Sequence, residues 1–219
     1  MTKPFFAAIV SALVVSACGG DGHGGSAVTT PPGQEPPSGK CLVRLHGKGG
    51  TGAASTTVGD ITVISPTGNA DGWGAKQWLY FPDEEYAAAL AIVRQAVVGC
   101  DQVIIDGFSN GASFAVAMYC KGETLDGRLE RVVVDDPVTD HAVERCTPSA
   151  SVAVSLYATG ALEKTAPPGW NCSDGDWTCE GGTTIGISAY AQALGAVRRQ
   201  SPHLDHEPYL DAPEATQFR

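Results

Sequence analysis

An apolar run, Gln102-Val103-Ile104-Ile105-Asp106, leads directly into Gly107-Phe108-Ser109-Asn110-Gly111 and then into the small-residue stretch Ala112-Ser113-Phe114-Ala115-Val116-Ala117. A G-x-S-x-G pentad between a strand and a helix leaves the backbone little choice. The serine must stand on a very tight turn in a strained conformation, and side chains two positions to either side would collide, so glycine is required there. Such a turn raises the serine at the carboxyl edge of a sheet, where open α/β folds bind ligands. Ser109 is therefore the candidate nucleophile.

The rest of the chain fits a parallel sheet wrapped by helices, because short apolar runs alternate with helical stretches from Cys41 onward. Cys41 to Leu45 and Ile61 to Ser65 read as the first strands. After Asp83, a reasonable N-cap, Tyr86, Leu90, Val93 and Val97 recur at helical spacing until Gly99 ends the helix. A strand follows at 102 to 106, then a helix from Gly111 to Cys120 and strands at Arg131 to Val134 and Ser151 to Tyr157. A last helix is expected from Ile187 to Arg199. The final strand, looked for at Ser201 to Glu207, has a poor apolar signal. No internal repeat is visible.

With 219 residues, 43% of them hydrophobic, the chain has room for one sizeable core. A net charge of −10 and the absence of any Lys/Arg cluster argue against a nucleic-acid partner. Lys3 followed by an apolar run from Phe5 to Val15 reads as a targeting segment too short to span a bilayer. Val15-Ser16-Ala17-Cys18 resembles a bacterial lipoprotein signal, which implies cleavage before Cys18 and a lipid on that cysteine. An ordinary cleaved signal peptide is the alternative reading. Residues 19 to 40 contain seven glycines and four prolines with almost nothing apolar, a composition for a tether rather than a core. The expected division is a signal peptide at 1–17, a lipid-anchored tether at 18–40 and one domain at 41–219, exported or held at the cell envelope.

The turn after the first strand, His46-Gly47-Lys48-Gly49-Gly50, makes a resemblance explicit. With the G-x-S-x-G pentad it resembles the α/β-hydrolase family, many of whose members carry an HG-x-G turn there. The resemblance implies a mostly parallel central sheet with helices on both faces. It also implies an oxyanion hole formed by the amide of Lys48, or of a neighbouring glycine, and that of Asn110. The P-loop spacing is absent, which argues against phosphate binding.

The family order of nucleophile, acid and histidine leaves His203 and His206 as candidates, since His23 lies in the tether and His46 and His141 come too early. His206 is preferred, because His206-Glu207-Pro208 and the residues after it resemble the family's usual ending. For the acid, Cys172-Ser173-Asp174-Gly175-Asp176-Trp177-Thr178-Cys179 resembles the C-x-x-G-D-x-x-C of cutinases, and that likeness falls on Asp176. In cutinases the histidine follows closely, whereas here it comes thirty residues later. Asp136, Asp140 and Glu163 remain competing acids.

Setting Cys18 aside leaves six cysteines, an even number suited to an oxidising compartment. In the family the first strand lies beside the one leading to the serine, which implies a Cys41–Cys100 bridge. Cys120 and Cys146 then become natural partners, and the cutinase likeness implies Cys172–Cys179. About fifteen residues separate the strands at 131–134 and 151–157, too few for the lid domain of larger relatives. The expectation is a minimal, lidless, monomeric serine hydrolase without metal or cofactor, acting on an ester that can be bulky or polymeric. An inactive surface-anchored binding module is the alternative from another class, and an acyltransferase, thioesterase or peptidase using the same residues is the alternative among enzymes.

Overall fold

The structure is a computed structural model that describes residues 39–139, 143, 146–159 and 187–219. Its centre is a seven-stranded sheet of order β2-β3-β1-β6-β7-β8-β9. The strands are β1 (Gly39–Leu45), β2 (Ala53–Val58), β3 (Ile61–Ser65), β6 (Cys100–Phe108), β7 (Leu129–Asp135), β8 (Ala153–Ala158) and β9 (Val197–Gln200). A separate two-stranded ribbon pairs β4 (Ala70–Asp71) with β5 (Lys76–Gln77). Every pairing in the large sheet is parallel except β2 with β3. Gly39 and Lys40, read from sequence as the end of the tether, belong to β1.

The central strands are continuous apolar runs because both of their faces are covered. On one face Val43, Leu45, Val103, Ile105, Val132 and Val134 form a core with three helices, α1 (Asp83–Ala96), α2 (Asn110–Cys120) and α3 (Ile187–Leu194). On the other, Leu42, Ile104 and Val133 meet Ala212 and Ala215, from the C-terminal segment and its short 3-10 helix at Pro213–Thr216. Among the described residues, then, the α-helices share one face and the chain terminus closes the other.

The sheet's winding reverses at β1. From β1 the chain goes out to β2 and β3 on one side and then returns to place β6 on the other. The carboxyl ends of β1 and β6 thus flank a switch point, the position where such sheets offer a ligand crevice.

The structure corrects three local expectations. Helix α1 is capped by Pro82, and Asp83 is its first residue, held by Lys121 at 2.8 Å. The last helix stops at Leu194 rather than Arg199. Gly195 adopts φ 62°, and the Ala196 and Gly195 amides donate to the Ala191 and Gln192 carbonyls. This is a Schellman ending, which exposes a new strand direction immediately afterwards. That strand is β9, Val197–Gln200, so the strand looked for at 201–207 lies just upstream.

Two disulfides brace this frame. Cys41–Cys100 joins the starts of β1 and β6, and Cys120–Cys146 ties the end of α2 to the segment after β7. Cys18, Cys172 and Cys179 lie outside the described residues.

Candidate active site

Ser109 stands between β6 and α2 with φ 52° and ψ −118°, a conformation that costs an L-residue of order 1–3 kcal/mol. The flanking glycines explain how the turn closes. A Cβ on Gly107 would sit 2.6 Å from the Gly111 carbonyl oxygen, and one on Gly111 would sit 2.3 Å from that of Leu45. The Ser109 amide donates to the Asp135 carbonyl at 2.9 Å, fixing the turn to the end of β7.

His206 reaches the serine from the C-terminal segment. Its Nε2 lies 2.9 Å from Ser109 Oγ, and its ring packs on Phe108 with centroids 4.7 Å apart. His203 is turned elsewhere, with Nδ1 3.5 Å from Glu207 and its ring edge-on to Tyr209.

The carboxylate against His206 is that of Asp136, whose Oδ2 is hydrogen-bonded to Nδ1. Asp136 follows β7 with φ 47°, a left-handed geometry that Asp tolerates better than most residues. Its side chain is fully buried, and its oxygens also accept from the Thr159 amide at 3.0 Å and the Thr159 hydroxyl at 2.8 Å. Among the described residues the acid in contact with the imidazole is thus one of the competing carboxylates. Asp176, Asp140 and Glu163 fall outside the described residues.

The oxyanion candidates sit on either side of Ser109. Asn110 opens α2, so its amide is one of the helix's unpaired N-terminal donors. In the turn after β1, the Gly49 amide donates to Lys76 and the Gly50 amide to Gly47. The Lys48 amide has no such acceptor among the described residues, and the Lys48 ammonium lies over the Trp73 ring at 5.3 Å.

Two side chains with no evident role in the sequence brace the surroundings of the site, His46 at this turn and Asn110 at Trp78. The His46 Nδ1–H donates to the Gly47 carbonyl at 2.8 Å and Nε2 accepts from the Gly68 amide at 3.0 Å. Both ring nitrogens are occupied, and burial lowers the His46 pKa, which keeps the ring neutral. The buried Asn110 side chain accepts from the Trp78 amide at 2.7 Å and donates to the Trp78 carbonyl at 3.0 Å. The Trp78 ring in turn stacks on Phe114 of α2.

A cavity of about 550 Å³ adjoins the serine turn, lined by Arg44, Gly47, Asp106, Phe108, Asp135 and Tyr209 among others. Burial pushes the Asp106 carboxyl up to about 7, against the opposing pull of Arg44, whose Nε lies 3.7 Å away. Burial likewise raises Asp135 to about 6. Among the described residues no group of three or more His, Cys, Asp or Glu side chains is arranged to hold a metal ion.

The parallel sheet, the switch point and the strand–serine–helix turn together define the α/β-hydrolase fold. A carboxylesterase of Bacillus cereus aligns with a TM-score of 0.50 over 80% of this chain and 84% of its own, at 17% identity. A protein of unknown function from Agrobacterium tumefaciens aligns at 0.47 over 83% of this chain and 89% of its own, also at 17% identity. A fungal esterase of Rhizomucor miehei aligns at 0.41 over 78% of this chain and 67% of its own, at 16% identity. No family model matches the chain, and no curated protein matches it.

Proposed function

We propose that this chain is a serine hydrolase that cleaves carboxylic esters, with Ser109 as nucleophile, His206 as general base and Asp136 as its orienting acid. The observation that carries this reading is the continuous hydrogen-bond chain from Ser109 Oγ through both nitrogens of His206 to the buried Asp136. Neutral His206 with its proton on Nδ1 presents the Nε2 lone pair to the serine hydroxyl. As Ser109 Oγ attacks the ester carbonyl, Nε2 takes its proton, and Asp136 stabilises the imidazolium that forms. The Lys48 and Asn110 amides receive the developing oxyanion. Nε2 then protonates the departing alcohol, and a water activated by the same imidazole releases the acid from the acyl-enzyme.

The adjoining cavity gives room for one arm of the ester, and His206 is half exposed, which suits a bulky or polymeric substrate. In this reading the enzyme is a monomer that works without cofactor. It is exported and held at the cell envelope by a lipid on Cys18, a placement supported by the Val15-Ser16-Ala17-Cys18 pattern and the Gly/Pro-rich stretch after it.

The test is hydrolysis of p-nitrophenyl esters of increasing chain length by the full chain and its Ser109→Ala variant. Turnover that the variant loses supports the reading. Absence of turnover for every ester contradicts it and favours a binding module.

A further inference from the structure

Two consecutive carboxylates stand at the end of β7, Asp135 as its last residue and Asp136 just after it, and the reaction as written uses only the second. The first, Asp135, is 1% exposed. Its backbone carbonyl accepts the Ser109 amide at 2.9 Å, while its side-chain Oδ2 accepts the Tyr209 amide at 2.6 Å. One residue thus touches both the turn that holds the nucleophile and the segment that delivers the histidine.

We propose that Asp135 is a positioning residue that couples the Ser109 turn to the His206 segment, holding the imidazole at attack distance from the serine. The inference rests on the hydrolase reading of the site. His206 lies on an exposed, irregular stretch without regular secondary structure, so its placement depends on point attachments. Three of them surround it. Asp136 takes the ring, Asp135 takes the backbone at Tyr209, and Arg44 donates to the Leu210 carbonyl at 2.6 Å. Of these, only Asp135 is also bonded to the nucleophile's own backbone.

The charges around Asp135 bear on how it acts. Asp136 adjoins it just past the end of β7, Asp106 faces it from β6 with Arg44 beyond on β1, and His203 and His206 face it from the C-terminal segment. Burial and Asp136 push its pKa up, while the Tyr209 amide and the two histidines pull it down, leaving it at about 6. At neutral pH the side chain is therefore mainly the carboxylate, the stronger acceptor for the Tyr209 amide.

Two variants separate positioning from simple scaffolding. Asp135→Ala removes the acceptor, whereas Asp135→Asn keeps an amide oxygen where Oδ2 stood. With p-nitrophenyl esters, Asp135→Ala should lower kcat about 10- to 100-fold with KM little changed, because a misplaced base costs rate rather than binding. Asp135→Asn should restore most of that loss. A second readout does not depend on turnover: the downfield proton resonance of His206 Nδ1, assigned by its loss in Asp136→Asn. It should be kept in Asp135→Asn and lost to faster solvent exchange in Asp135→Ala.

A folded Asp135→Ala protein with wild-type kcat and an unchanged Nδ1 resonance would overturn the proposal. If the wild-type protein itself turns over no ester, the hydrolase reading fails, and the Nδ1 resonance alone decides whether Asp135 positions His206. Its persistence in Asp135→Ala then counts against the proposal and its loss counts for it.

Discussion

Gly111 lies so close to the end of β1 that a Cβ on it would stand 2.3 Å from the Leu45 carbonyl oxygen. This contact seats the start of α2 directly against the strand that carries the oxyanion turn. Gly111→Ala must therefore push α2 off β1, moving Ser109 relative to the Lys48 amide. We expect a stability loss of about 3 kcal/mol, as for other overpacked interiors, read from the urea midpoint, together with loss of esterase activity. An active variant of wild-type stability would mean that the turn is looser than described.

The identity of the acid separates two variants. The Nδ1 side of His206 is engaged by Asp136, so the proposed mechanism gives the acid role to Asp136 and none to Asp176. Asp136→Asn is expected to lower kcat by about 10³- to 10⁴-fold with little change in KM. Asp176→Asn should retain activity. Steady-state kinetics on both variants checks this, and the opposite pattern would return the acid role to the cysteine-flanked loop.

The Asn110 side chain closes both backbone groups of the buried Trp78. Asn110→Ala leaves that amide and that carbonyl without partners, at a cost of about 2–4 kcal/mol. Denaturant titration measures this. Activity should fall as well, because the same residue carries a proposed oxyanion donor.

Much of this arrangement was legible in the sequence, and the parts that were not share a physical reason. The Ser109 turn could be read because its geometry admits only glycine at 107 and 111, so the backbone demand is written in residue type. The order of elements narrows the histidine to His203 or His206, and only the likeness of the His206 segment to the family's usual ending separates the two. Asp136 remains one of several carboxylates in the sequence, because its contact with His206 depends on β7 ending at Asp135 and on the next residue turning left-handed toward Thr159. Strand β2 leaves no signal and β9 lies upstream of the expected 201–207, because both are sheet edges held by backbone pairing and their mostly exposed residues show no buried face for a period of two to reveal. The Asn110–Trp78 clamp spans 32 residues, a separation at which no local pattern operates.

Asp106 makes stability depend on pH in a definite direction. Its carboxyl titrates near 3.8 when unfolded and at about 7 when folded, so the native state favours the protonated form. The stabilisation is complete below pH 3.8 and is lost as the pH rises through 7. Asp135 acts in the same sense, with its loss complete above about 6. Asp106→Asn, which cannot ionise, should match the wild-type Tm near pH 4 and exceed it near pH 8. A neutral-pH Tm below wild type would show that the ion pair with Arg44 outweighs the burial of the charge.

The most direct test of the central claim is reaction of the full-length chain with a fluorophosphonate ester, followed by peptide mass spectrometry. The account predicts a single phosphonyl adduct on Ser109, strongly reduced in His206→Ala because the serine then lacks its base. No adduct on the folded protein, or an adduct on another residue, would contradict the assignment of Ser109 as an activated nucleophile.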